Sequence, residues 1–380
     1  MRYWNRDFRL LACGVFGVGA FFGILFPLFN NFIVDQIGVQ PHELGYMESL
    51  REVPGFLNAF FTALIIFFAP PIVAGLALIV MGIGMAAYSQ VNSFYGILVF
   101  SFVWSFGFHA WLPLRSAMTL AYSSSEEKGK WFGQLRSVES CATLAMIGLC
   151  LFATELFEFG GLFKIGGGVV AAGGVALFFA SRRLQTKREN RFVLRKPYWL
   201  YYALSFMDGS RRQIFTTFAI FALVKAFGTD RGVIIKLVLI NQVVVLFFSP
   251  IIGRLVDKLG ERIMLSLSYA GLFFVFVGYA TLKNVTHLYV LYCIDNFLFV
   301  GRIALMTYLN KIAQPEDLKP TLAMGVTMNH VAAVSVPLIG GLAWVSFGYQ
   351  IIFIGGAVFT LISLTCTQWM RIGRESAKLE

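Results

Sequence analysis

Long apolar runs alternate with short polar stretches along almost the whole chain, from Phe8 to Met370. A run of about 20 residues, wound as a helix rising about 1.5 Å per residue, matches a bilayer core of about 30 Å. Twelve such segments can be drawn, at 8–34, 43–68, 71–90, 94–121, 131–154, 160–181, 197–224, 232–252, 263–282, 286–311, 321–345 and 348–370. Two of the breaks are made by residue type and not by charge. Ala69-Pro70-Pro71 parts the second and third segments, and Ser346-Phe347-Gly348-Tyr349 parts the last two. Proline and glycine interrupt a helix without needing a hydrophilic loop. The pattern therefore predicts an all-α membrane protein with twelve transmembrane helices, and it leaves no room for a soluble catalytic domain.

Composition agrees, with 58% hydrophobic residues and 13% charged, about half the charged share of a typical soluble domain. The net charge of +11 would point to nucleic acid in a soluble protein. Here the basic residues fall on alternate loops. With the N-terminus in the cytoplasm, that side holds Arg2, Arg6, Arg9, Lys128, Lys130, the cluster Arg182 to Lys196, Arg254, Lys258, Arg262, Lys311, Lys319, Arg371, Arg374 and Lys378. The opposite side holds Lys164, Lys225, Arg231 and Lys283. The positive-inside rule then places both termini in the cytoplasm, and the excess charge faces anionic lipid, with no nucleic-acid partner expected. Five cysteines scattered through the spans make no disulfide framework. The first apolar run is too long for a cleavable signal and is expected to stay as the first helix. The expected location is a bacterial or archaeal plasma (inner) membrane.

The halves of the chain look like copies. A shift of 190 residues lays Ile33 to Gly38 on Leu223 to Gly228, Gly19 on Gly209, and Arg51-Glu52 on Asn241-Gln242. Such a shift between two six-helix blocks is the trace of parallel repeats. It divides the chain into an N-terminal six-helix bundle (1–181), a cytoplasmic linker (182–196) and a C-terminal six-helix bundle (197–380). Between the eighth and ninth spans runs Gly253-Arg254-Leu255-Val256-Asp257-Lys258-Leu259-Gly260-Glu261-Arg262. In position and spacing this resembles the cytoplasmic signature of the major facilitator superfamily, in which glycine, an acid and a second glycine are followed by a base. The resemblance covers the whole chain. It implies two pseudo-symmetric bundles rocking about a central cavity lined by helices 1, 2, 4, 5, 7, 8, 10 and 11.

The chain departs from the family between the second and third spans, where Phe67-Phe68-Ala69-Pro70-Pro71 offers neither acid nor base. Any cytoplasmic latch then rests on Gly253, Asp257, Lys258, Gly260 and Arg262. Asp257 can face the positive end of a neighbouring helix, and the pseudo-symmetry makes that neighbour the start of the fifth helix, near Gly129 to Gly133. The plain alternative is a tight charged turn that only fixes topology.

Ionisable groups inside hydrocarbon mark translocation sites. Arg211, Arg212, Asn241, Gln242, His109, Glu139 and Asp295 fall within roughly 5 Å of their helix midpoints. Glu48, Arg51 and Glu52 lie outward of the centre, and Arg115, Arg136 and Arg302 lie toward the cytoplasm. Asp208 precedes Arg211 and Arg212 by three and four residues, so it can satisfy one of them on its helix face and leaves the other over. A planar fork of donors suits a carboxylate, phosphate or sulfonate, which makes a small organic anion the expected substrate. The candidate substrate-binding residues are Arg211, Arg212, Asn241, Gln242, His109, Trp111 and Arg115. Arg136 and Glu139 have an equally good structural reading as a same-helix pair.

No nucleotide-binding loop or other cofactor site is present in the sequence, so an ion gradient is the expected energy source, protons first and sodium second. Glu48, Glu52, Glu139 and Asp295 are the coupling candidates. Glu48 and Glu52 flank Arg51 and are best read as its partners, whereas Asp295, seven residues before Arg302, is the better coupling group. His109 and His330 make a weak metal signal. Phe21, Phe22, Trp104 and Trp111 are cavity candidates that favour an aromatic or amphipathic ligand. Three classes stay open: a proton-coupled organic-anion carrier, a broad-specificity exporter of hydrophobic or amphipathic compounds, and a non-transporting receptor or assembly protein on the same fold. A monomer is expected. An enzyme is not, since no nucleophile, base and oxyanion arrangement can be assembled.

Overall fold

A computed structural model describes residues 4–57, 68–122, 128–153, 157–182, 194–299, 301 and 303–370. Among them every regular element is helical. The helices are α1 (Arg6–Asn31), α2 (Pro41–Phe56), α3 (Pro70–Ala87), α4 (Phe94–Tyr122), α5 (Lys128–Ala153), α6 (Phe159–Leu177), α7 (Trp199–Lys225), α8 (Arg231–Leu259), α9 (Glu261–Thr281), α10 (Val285–Phe299), α11 (Ile303–Ile312), α12 (Pro315–Phe347) and α13 (Gln350–Thr367). Together α10 and α11 make up the tenth predicted span.

Ten described helical stretches are long and apolar enough to cross a membrane. The second and seventh predicted spans stand outside that set. The described part of α2 is 16 residues long and carries Glu43, Glu48, Arg51 and Glu52; α7 has length enough but carries Asp208, Arg211 and Arg212 at its centre. Helix boundaries follow local chemistry. Asn5 caps α1 by accepting from the Phe8 amide at 2.7 Å. Pro70 and Pro71 open α3, where their missing N–H groups cost nothing.

The signature segment differs from its reading as a loop. Gly253 to Leu259 continue α8 as helix, and α9 starts at Glu261. The whole turn is Gly260, at φ +81°, a conformation that residues with a Cβ rarely adopt. Gly253 is tolerated within a helix, and only this second glycine breaks the chain.

Two compact units are present, one of Met1–Val39, Leu50–Arg188 and Asp230–Leu239, the other of Gln40–Ser49, Glu189–Thr229 and Ile240–Glu380. Inside the first, α1 packs on α5 and α6, and α3 on α4 and α6. Inside the second, α7 packs on α12 and α13, and α9 on α10, α11 and α13. These are the same pairings 190 residues later, and single residues repeat them. Gly19 lies against residue 139 of α5, and Gly209 against residue 329 of α12. Gly166 meets Met85 just as Gly356 meets Phe276. Where no helix covers them, Leu76, Ile83, Val99, Leu267, Phe274 and Ile354 are exposed, as hydrocarbon contact requires.

Candidate functional site

The charged residues of α7 differ in burial. Asp208 and Arg211, three residues apart, share the inner face of the second unit. Arg211 is 1% exposed, and its Nη2 donates to Asp208 Oδ1 at 2.7 Å. From α10, Asp295 Oδ1 stands 3.9 Å from Arg211 Nη1. That distance is too long for a hydrogen bond, and both atoms are buried without another such partner. Among the described residues two carboxylates thus flank this guanidinium, and with all three ionised these three groups sum to one negative charge. A proton on Asp295 makes that sum zero. Tyr269 of α9 lies close to Arg211, and buried Asn241 of α8 lies beside the Tyr292 hydroxyl of α10. Gln242, next along α8, is half-buried. Arg302, seven residues after Asp295, lies outside the described residues; among those described, Arg211 is a base beside Asp295.

Arg212, by contrast, is exposed. From Asp208 to Val224 every residue of α7 is buried except Arg212, Gln213 and Thr216. The open strip at the middle of this helix is therefore wholly polar, unlike the Leu, Ile and Phe that other helices expose. An arginine at that depth is stable where it meets water and costly where it meets lipid. The Arg211 and Arg212 guanidinium carbons stand 5.2 and 5.3 Å from the centre of the Phe299 ring.

In the first unit Glu139 Oε2 receives two bases, Arg115 Nη1 at 3.0 Å and Arg136 Nη1 at 3.3 Å. Arg115 is largely buried; the Arg136 side chain is 71% exposed. Together the three groups keep one surplus positive charge. His109 is buried on α4, with Nδ1 2.9 Å from the Ser105 carbonyl and Nε2 4.0 Å from Glu52 Oε2. Ser105 also donates to the Arg51 carbonyl. The Arg51 guanidinium lies over the Trp104 ring at 4.8 Å, and Trp104 Nε1 donates to the Tyr88 hydroxyl at 2.7 Å. Glu48 is buried. Trp111 is fully buried with its ring against Gly14 of α1, which places it in the packed interior of the unit.

At the signature, Asp257, Lys258 and Arg262 are exposed and Gly253 and Gly260 half-buried. Its buried acid is Glu261, 1% exposed, paired with Lys311 of α11 at 2.6 Å. Sequence reading missed this pair because the partners are far apart in the chain. It missed Phe299 too, although a signal existed: Phe299 follows Asp295 by four residues and so shares its helix face.

A family model described as Major Facilitator Superfamily matches residues 11–301 and 198–379. Among solved structures, the nucleoside transporter NupG in a D323A mutant form superposes with a TM-score of 0.80 at 13% identity, covering 96% of this chain and 100% of that one. A bacterial homologue of the human lysosomal transporter Spinster, in an inward-facing and occupied conformation, gives 0.73 at 13% identity and 97% of each chain. Comparison with curated proteins found no match. At such identities the structures speak for the fold.

Proposed function

Because the chain belongs to the major facilitator superfamily and is a membrane transporter of that superfamily, we propose that it carries a small organic anion by alternating access, with proton coupling at Asp295. The two six-helix halves are the rocking bodies of this reading. One observation carries it: the polar strip at the centre of α7, on which Arg212 is exposed while Arg211 is buried between carboxylates. The tasks divide accordingly. Arg212 meets the carboxylate, phosphate or sulfonate of the substrate through its N–H fork. Arg211 holds Asp208 and answers the charge on Asp295. When Asp295 is ionised it competes with Asp208 for the guanidinium, and when it takes a proton that competition ends. A proton thereby changes the packing between α7 and α10, which is what coupling needs.

The test is a thermal-shift series on purified protein against carboxylates, phosphate esters and sulfonates, with nucleosides, the class named for one similar structure, as uncharged comparison. Anions are expected to raise the melting temperature of wild type, and Arg212→Ala to weaken that response about 10-fold or more, the value of a charge-assisted hydrogen bond. A stabilising anion that acts equally on Arg212→Ala would end this reading.

The first unit favours a second reading. Phe22 stacks on exposed Phe26 at 4.9 Å and meets Phe108 edge-on at 5.0 Å, an aromatic surface suited to the hydrophobic compounds of a broad exporter. That reading predicts tolerance at Arg212 and loss of response in Phe22→Ala.

A further inference from the structure

Phe299, at the end of α10, lies beneath two guanidinium groups at once, those of Arg211 and Arg212. Like charges gathered at one ring repel. The face of an aromatic ring offsets this, because its quadrupole presents negative charge to each cation. One helical turn earlier, Asp295 faces Arg211, so one side of α10 meets both arginines, the buried one with a carboxylate and a ring, the exposed one with the ring. The in-plane N–H edge of a guanidinium is the part that recognises a carboxylate or phosphate in two-point fashion.

We propose that Phe299 is the positioning residue for the substrate cation: its ring holds the Arg212 side chain so that the N–H fork is presented to an organic anion. The inference rests on the reading of Arg212 as the anion contact and adds a residue on another helix that sets its geometry. Without the ring, Arg212 keeps its charge but regains the freedom of its long side chain, and anions bind it less well while the fold is kept.

The experiment uses the purified full-length chain and phenylglyoxal, an arginine-selective reagent, with the modification of Arg212 read by peptide mass spectrometry. Benzoate, citrate and inorganic phosphate are titrated as protecting anions. In wild type, Arg212 is expected to react and at least one anion to protect it. Phe299→Leu is expected to need about 3- to 30-fold more of that anion for the same protection, the range that loss of a cation–π contact allows. Phe299→Tyr restores the wild-type curve, and Phe299→Met, long but ringless, should match the leucine variant and replaces it if that variant does not fold. Equal protection in wild type and the ringless variants overturns the role of Phe299 and leaves the anion reading standing. No protection of wild-type Arg212 by any of the three anions overturns both.

Discussion

Arg211 and Arg212 are one residue apart and about 100° apart around α7, so a single step along the chain turns a structural base into an exposed one. The consequences of removing them should differ. Arg211→Ala takes from buried Asp208 its hydrogen-bonded base and from Asp295 the base beside it, and breaking a buried pair in this way costs about 3 to 5 kcal/mol. A melting curve in detergent should show a large fall or no folded protein. Asp295→Asn removes one carboxylate charge and keeps the Asp208–Arg211 bond, so its stability should change by no more than about 1 kcal/mol, the size of a mild substitution. Similar destabilisation by both would contradict the assignment of Arg211 to Asp208. The spacing of Asp208 and Arg211 made this pair legible in sequence, since i,i+3 residues share a face. The approach of Asp295 was not legible, because it depends on how α7 meets α10. Nor was the burial of Trp111, whose indole fits against Gly14.

Among the elements, glycine sets how closely α3 and α6 approach. A Cβ on Gly82 would collide with the Gly167 carbonyl, and one on Gly75 with the Gly174 carbonyl, the two contacts lying about two turns apart along both helices. Small residues at such crossings replace the hydrophobic driving force that lipid lacks. Gly167→Leu is therefore expected to cost at least about 1 to 3 kcal/mol of packing and to lower the folded yield. Gly168→Leu, one residue on, is the control: its Cβ would meet nothing within 4 Å, and its yield should match wild type in size-exclusion chromatography. Equal loss from both would show that the crossing is not the cause. Hydropathy located the apolar spans because each run satisfies its own backbone. It was blind to the crossing partners, and it misjudged the signature segment, where charged residues read as a loop are helical up to Gly260.

For the whole molecule, the 190-residue repeat visible in scattered glycines reappears as the same helix pairings inside each unit, down to residues 139 and 329. A sequence repeat predicts such pairings because each half must bury the same faces. The charge clusters do not repeat. In the first unit one carboxylate serves two arginines, and in the second two carboxylates flank one arginine, with a further arginine exposed on α7. The proposed proton-driven anion carrier rests on that asymmetry, and flux tests it most directly. In liposomes holding the purified protein, an acid found by thermal shift should accumulate in wild type under an imposed pH gradient. Asp295→Asn should equilibrate that acid without accumulating it, and Arg212→Ala should fail to bind it at the same concentration. Accumulation by Asp295→Asn equal to wild type would contradict the coupling, and undiminished uptake by Arg212→Ala would contradict the anion site itself.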